Sequence, residues 1–325
     1  MAPLGEFELI ARYFTRPVRR AALGVGDDCA LLAPAPGMAL AVSSDMLVEG
    51  RHFISTVAPE RLGHKALAVN LSDLAACGAR PLAFTLSLAL PAADEAFLAP
   101  FARGLLALAE RHDCELIGGD TTRGPLTIAI TAFGEVASGT ALLRSGARAG
   151  DDLYVSGTLG DARLALEVLR GTVSVAGDAF ARLRRAMEEP APRVALGRAL
   201  VGVASSAIDL SDGLAGDLGH VLRRSGVGAV VDVDALPRSG DLAAQDAALQ
   251  RECLLAGGDD YELAFTAAAA RRDAVAAAAR AADTPVTRIG RIEAGGRLRF
   301  VDGAGHEVIG PASSFDHFLA APPAP

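Results

Sequence analysis

The sequence predicts a two-domain α/β (α+β) protein, and three observations carry that expectation. Short apolar runs with strand character alternate with helix-length segments through both halves of the chain. The 325 residues exceed what one domain of ordinary size, roughly 100–200 residues, takes up. Six aspartate-bearing words fall mostly where apolar runs end or helices begin: Gly26-Asp27-Asp28, Ser43-Ser44-Asp45, Asn70-Leu71-Ser72-Asp73, Gly118-Gly119-Asp120, Asp209-Leu210-Ser211-Asp212-Gly213 and Gly257-Gly258-Asp259-Asp260.

Residues 5–15 read as a short amphipathic helix. Leu40–Val42 reads as a strand ending on Ser43-Ser44-Asp45. Residues 59–78 have helix punctuation, with proline near the start and glycine near the end. Phe84–Leu90, closed by Pro91, is a predicted strand. Asp94–Arg111 is a predicted helix, and Leu126–Val136 a strand with partial alternation. Leu153–Ser156 is a further strand, followed by Gly157 and a helix over Asp161–Arg170. Composition breaks at 171–192, where helical text ends at Glu189-Pro190. The domain boundary is set near 150, giving domains 1–150 and 151–319.

The second half continues with helices at Ala195–Ala204, Leu214–Arg224 and Ala267–Ala282. Its strands are Ala207–Leu210, Ala229–Val233, Glu262–Thr266, Val286–Ile292 and Arg297–Val301. Residues 320–325 are expected to form a disordered tail. The words Leu-Ser-Asp and Gly-Gly-Asp recur 47 residues apart in both halves, 73 to 120 and 212 to 259. That echo fits two related halves or chance.

A net charge of −8 argues against nucleic acid or an anionic membrane as partner. Lys65 is the only lysine and no Gly-x-x-x-x-Gly-Lys-Ser/Thr word occurs, which excludes a P-loop. The four cysteines form no Cys-x-x-Cys pair and suit a cytosolic protein with buried thiols. Glu6 and Glu8 stand where a signal peptide would be basic, and charges interrupt the Ala-rich stretch 267–282. No leader or membrane span is therefore expected, and the localisation is cytoplasmic.

Repeated carboxylates at element ends suggest a hard cation held by oxygen, which is magnesium's preference, its shell shared with substrate phosphates. Ser43-Ser44-Asp45 joins two hydroxyls to a carboxylate. Asp73 has apolar neighbours Leu71, Leu74 and Ala75, so it needs a partner, either Asn70 or a cation. Gly118-Gly119-Asp120 reads as an anion nest or a plain turn. Asp212 suits an N-cap, but Asp209 needs a separate explanation. Arg144 is a candidate bidentate phosphate ligand. His52, shortly after a ligand-bearing strand, is a candidate substrate contact.

Taken in order over about residues 5–318, these words, with Cys29-Ala30, His52-Phe53, Thr121 and Tyr261-Glu262-Leu263, resemble those of the thiamine-monophosphate kinases. That family belongs to the aminoimidazole ribonucleotide synthetase-like superfamily. The resemblance implies an N-terminal domain whose strands build a barrel in a homodimer, a C-terminal α/β domain, and an active site in a cleft between them. It implies several magnesium ions held by Asp28, Ser43, Ser44, Asp45, Asp73, Asp120, Asp209 and Asp212, with Asp45, Asp120 and Asp212 central to catalysis. It implies ATP contacts from Gly119, Asp120, Arg144 and Ser211, and thiamine monophosphate contacts from His52, Glu262 and Phe315. The expected reaction is direct in-line phosphoryl transfer from ATP to thiamine monophosphate, with metals offsetting the repulsion of two polyanions. Three alternatives stay open: another ATP-dependent enzyme of the superfamily, a metal-dependent phosphohydrolase, or a non-catalytic binding protein.

Overall fold

The computed structural model describes residues 5–309. Phe315 and the expected tail at 320–325 lie outside the described residues. The chain divides into two compact units, residues up to 75 with 79–141, and residues 76–78 with those from 142 onward.

In the first unit a short helix α1 (Glu6–Leu9) runs into a π-helical turn, Ile10–Phe14. Then follow β1 (Met38–Val48), α2 (Pro59–Ala76), β2 (Arg80–Leu90), α3 (Glu95–Arg111), β3 (Glu115–Arg123) and β4 (Thr127–Ala137). Asp94 starts α3 as its N-cap, accepting the Ala96 N–H at 2.9 Å. The four strands lie in the order β1-β4-β2-β3. β2 and β3 are parallel, joined by α3 as a crossover, and the other pairs are antiparallel.

Strand alternation gives this sheet two unlike faces. Leu86, Leu88, Leu90, Ile128, Ile130 and Ala132 are buried, whereas Thr85, Ser87, Ala129 and Thr131 point the other way. On that second face β1 carries Leu40, Val42 and Met46, which are 43%, 57% and 56% exposed. Residues 18–32 cover part of it: Val18, Ala21, Ala30 and Leu32 pack with Leu82, Ala83, Ile117 and Phe133.

Two expectations are corrected here. β1 extends to Val48, so Ser43-Ser44-Asp45 lies mid-strand. Gly118-Gly119-Asp120 is not a turn but the middle of β3, opposite Thr85, Leu86 and Ser87 of β2. Ladder pairing with a buried neighbour outweighs the weak strand propensity of glycine.

The second unit contains β5 (Asp151–Ser156), α4 (Asp161–Leu169), α5 (Gly177–Glu188), α6 (Val194–Leu200), β6 (Ser206–Asp209), α7 (Leu214–Ser225) and β7 (Gly228–Asp232). It continues with α8 (Gly240–Ala243), α9 (Ala247–Ala256), β8 (Leu263–Ala268), α10 (Arg272–Ala281), β9 (Val286–Glu293), β10 (Leu298–Val301) and β11 (Glu307–Val308). The sheet order is β11-β10-β7-β9-β5-β8-β6. Its core joins Leu153, Val155, Ile208, Ala264 and Ile289 of the strands to Leu164, Leu183, Leu218 and Leu254 of α4, α5, α7 and α9.

Helix α5 lies in the stretch that composition marked as a break and ends where helical text was read to end, before Glu189-Pro190, whereas α9 was not foreseen. Asp246 caps α9 by accepting the N–H groups of Ala248 and Leu249, both at 3.0 Å. Ala267 and Ala268, expected to open a helix, instead finish β8. The 47-residue echo has no structural counterpart. Asp73 lies inside α2 and Asp120 inside β3, whereas Asp212 and Asp259 both lie in loops. No helix among the described residues is long and apolar enough to cross a membrane.

Candidate active site

In the first unit the period of β1 sorts its own ligand word. Ser43 and Asp45 point to the α2 side, where the Ser43 hydroxyl donates to Asp73 Oδ2. The Asp45 backbone N–H donates to Asn70 Oδ1 at 3.2 Å, and Asn70 Nδ2 donates to the Ala66 carbonyl at 3.1 Å. Asn70 is thus turned to Asp45, and Ser43 meets Asp73. One turn of α2 thereby holds the Ser43 hydroxyl and the Asp45 backbone, so that Ser43, Asp45 and Asp73 share one side of the sheet. Ser44 lies on the opposite face, 3.0 Å from the Thr131 hydroxyl.

Asp120 sits on that opposite face as well, paired with Ser87. In the sheet row Asp45–Ile130–Leu86–Gly119, β1 and β3 are three strand spacings apart. Three spacings amount to roughly 14 Å, whereas a magnesium–oxygen bond is about 2.1 Å. Within one copy of the chain, Asp45 and Asp120 therefore do not share an ion. Asp28 stands on an exposed loop, its N–H donating to Asp27 Oδ1 at 2.9 Å.

Gly119 is required at its position. Its φ is +147°, and a Cβ there would lie 1.9 Å from the Leu86 carbonyl oxygen. A cavity of about 40 Å³, lined by Ile10, Phe14, Leu86 and residues 118–121, adjoins it. That is room for about one water rather than a purine.

His52 sits in the turn after β1. Its Nδ1 accepts the Val48 N–H at 3.0 Å, so in the neutral ring the proton is on Nε2. Lys65, the single lysine, is buried in α2 and donates to the His52 carbonyl at 3.4 Å.

In the second unit Asp209 ends β6 and is buried. The loop that follows, residues 210–213, runs beside the segment before β8: Asp259 and Tyr261 N–H groups donate to the Ser211 and Leu210 carbonyls, both at 2.8 Å. A residue missed in the sequence organises this loop. Asp217, in the first turn of α7, accepts the Asp212 N–H at 3.0 Å and also bonds the Ser211 backbone. Burial, with the nearby Asp212 carboxylate, pushes its carboxyl up to about 7, against those hydrogen bonds and the Arg144 charge. Arg144 also acts on His220 of α7, whose imidazole is held low first by burial and then by Arg223 and Arg144. Ser211 and Asp212 border the N-terminal end of α7, while the Arg144 carbonyl accepts the Ser225 hydroxyl at its C-terminal end, at 3.1 Å, and the Arg144 charge acts along the helix. The only sequence signal for Asp217 is a carboxylate four residues after a helix-opening glycine.

Glu262 is 5% exposed and already partnered. Arg193 grips it with both Nε, at 2.7 Å, and Nη2, and the Ser156 hydroxyl donates to it. Burial opposes the Arg193 charge, but the Glu262 hydrogen bonds and charge outweigh it and raise its pKa. Neither Ser156 nor Arg193 belongs to a word that announced chemistry. Asp260 is structural: its Oδ1 accepts the Gly160 N–H at 2.8 Å, and complete burial raises its pKa well above the ordinary value. The roomier cavity of this unit, about 330 Å³ beside Tyr154, Arg272 and Arg288, contains none of the predicted residues.

Every predicted ligand here offers oxygen, which fits a hard cation. Among the described residues no three His, Cys, Asp or Glu side chains gather closely enough to hold an ion by themselves. A cation taken by one or two carboxylates plus hydroxyl, water and phosphate oxygens matches magnesium's usual shell.

The family model described as AIR synthase related protein, N-terminal domain, matches residues 26–136, and the model for the C-terminal domain of the same family matches 148–303. The thiamine-monophosphate kinase of Salmonella typhimurium is 47% identical over 322 residues, 97% of this chain and 98% of that protein. A crystal structure of thiamine-monophosphate kinase from Stenotrophomonas maltophilia K279a superposes with a TM-score of 0.83 at 47% identity, covering 90% of this chain and 94% of that one. AaThiL complexed with AMPPCP and TMP gives 0.77 at 31% identity, covering 88% and 89%.

Proposed function

The chain belongs to the thiamine-monophosphate kinase family of AIR synthase related proteins, and from that premise we propose that it transfers the γ-phosphoryl group of ATP to thiamine monophosphate, giving thiamine diphosphate. The observation that carries the reading is the oxygen patch of Ser43, Asp45 and Asp73, fixed by Asn70, in a protein whose single lysine is buried. Such a protein has almost no ammonium groups to offer two polyanions. Bound magnesium would offset their charge and align them.

We assign Ser43, Asp45 and Asp73, with Asp28, to metal binding in the N-terminal domain, and Asp209 and Asp212 to metal binding in the C-terminal one. Gly119 lets backbone approach a phosphate closely, and Arg144 and Ser211 contact the nucleotide. His52, with its ring fixed by Val48, and Glu262 contact the acceptor. The acceptor oxygen is already ionised near neutral pH, so the chain need supply no strong base. Its residues bind, orient and exclude water, and transfer is direct. The reading carries a cytoplasmic location, where ATP is available.

A homodimer completes it. The exposed Leu40, Val42 and Met46 form an apolar sheet face that a second copy would cover. Asp120 lies on that same face, three strands from Asp45 within one copy.

The test is a product assay with MgATP and thiamine monophosphate, run against thiamine and water as acceptors. Diphosphate formed only from the monophosphate supports the proposal. ATP hydrolysis at equal rate without it would make the protein a phosphohydrolase, and trapped phosphoaspartate from ATP alone would overturn direct transfer.

A further inference from the structure

We infer that the cavity between α10 and the sheet of the second unit is a separate ligand site, which takes a small monocarboxylate with a flat apolar body. It shares no residue with the candidate active site and does not depend on the kinase reading.

Two arginines and a buried aspartate make its polar wall. Asp152 of β5 is 3% exposed. Arg272 Nε and Nη2 donate to its two oxygens at 2.6 and 2.9 Å, and Arg288 Nη1 donates to Oδ1 at 3.0 Å. These bonds, the Arg272 one foremost, hold its carboxyl below the ordinary range. The Tyr154 hydroxyl donates to Oδ2 at 3.3 Å. Two guanidiniums on one carboxylate leave one positive charge unbalanced, in a chain whose net charge is −8. An ion pair kept only for stability needs one arginine, because a second, half-exposed one adds little and repels the first. Neither guanidinium is used up. Each has five N–H bonds, of which Asp152 takes two from Arg272 and one from Arg288.

Strand and helix geometry bring these groups together. Arg288, Tyr154 and Phe265 form a row across β9, β5 and β8. The β9 register shifts here, leaving Ile289 as an extra residue between the Arg288 and Gly290 pairs, and such a bulge re-aims side chains. Phe265 stacks on the Tyr154 ring, with centroids 5.2 Å apart. On α10, Arg272, Val275, Ala276 and Ala279 follow at i, i+3, i+4 and i+7, the spacing of one helix face. The alanines leave the space, about 330 Å³, which is at the small end of ligand cavities. Apolar side chains thus adjoin guanidinium donors. One unbalanced charge matches one carboxylate, which arginine binds bidentately. A phosphate monoester carries nearly two charges at neutral pH, more than this wall balances.

The experiment is calorimetric titration of the full chain with 2-naphthoate, its neutral amide and 2-naphthyl phosphate. The naphthoate should bind saturably, the amide at least about tenfold more weakly, and the phosphate no more tightly than the carboxylate. R288Q should weaken naphthoate binding by about 10- to 100-fold. A276F, at an exposed position of α10, fills the cavity and should abolish binding. A277F, exposed but outside the lining, should leave binding within about twofold of wild type. A276F leaves the ion pairs untouched and carries the test if R288Q fails to fold. No saturable binding of the naphthoate, equal binding of the amide, or wild-type binding by A276F would overturn the site. Tighter binding of the phosphate would overturn its assignment to a carboxylate.

Discussion

Replacing Asp217 by Asn should make stability less sensitive to pH, and by a predictable amount. Asp217 is 4% exposed and its carboxyl is raised from an ordinary 3.8 to about 7, with burial as the main cause. The folded protein therefore holds this proton more tightly than the unfolded chain. Below pH 3.8 both states are protonated and the group contributes no pH dependence. Between 3.8 and about 7 the unfolded chain releases the proton first, so stability falls as pH rises, and above 7 the loss levels off. The rise spans about three pH units at about 1.4 kcal/mol each, roughly 4 kcal/mol over the whole window. About 2.5 kcal/mol of it falls between pH 5 and 8.5 by the same relation. Asparagine cannot ionise, yet its Oδ1 still accepts the Asp212 N–H. Urea unfolding with a chelator present, at pH 5 and pH 8.5, should show D217N gaining on wild type by about 2–3 kcal/mol between the two conditions. A gap that stays constant within about 0.5 kcal/mol would refute the assignment of Asp217 as a buried, neutral-leaning carboxyl.

Two further outcomes are expected. S43A removes the hydroxyl that meets Asp73, whereas S44A removes one on the other face of β1; a magnesium titration of the initial rate should show S43A needing about tenfold more metal and S44A shifted by less than threefold, and equal shifts would contradict the face assignment. V42D with M46K places charges on the exposed apolar face without touching the core; sedimentation should show a monomer where wild type is a dimer, with melting temperature little changed, and an unaltered dimer would move the interface elsewhere.

Residues close in sequence were read well where chemistry is local. The Asp-Leu-Ser-Asp-Gly loop lies at a strand-to-helix junction as expected, because an apolar run, a glycine and an amphipathic run follow one another within a few residues. Gly118-Gly119 misled, since glycine signals a turn unless a neighbouring strand is there to pair with it. The end of α5 was read correctly at Glu189-Pro190, but its start was not, because arginines and glutamates surround the buried Ala179, Leu183 and Met187.

The sequence by itself determined the donor chemistry of this protein: oxygen ligands in ordered words, one lysine, no P-loop, and alternating elements that require two α/β domains. These are properties of composition and short-range pattern, which are written in the chain directly. Tertiary structure alone decided which donors meet. Strand parity set Ser43 and Asp45 against Asp73 while turning Ser44 and Asp120 to the other face, and the order β1-β4-β2-β3 fixed their separation. Burial raised the Asp217 carboxyl, and a contact spanning 69 residues gave Glu262 its arginine. Faces, burial and long-range partners depend on where distant segments come to rest, and no window of the sequence contains them.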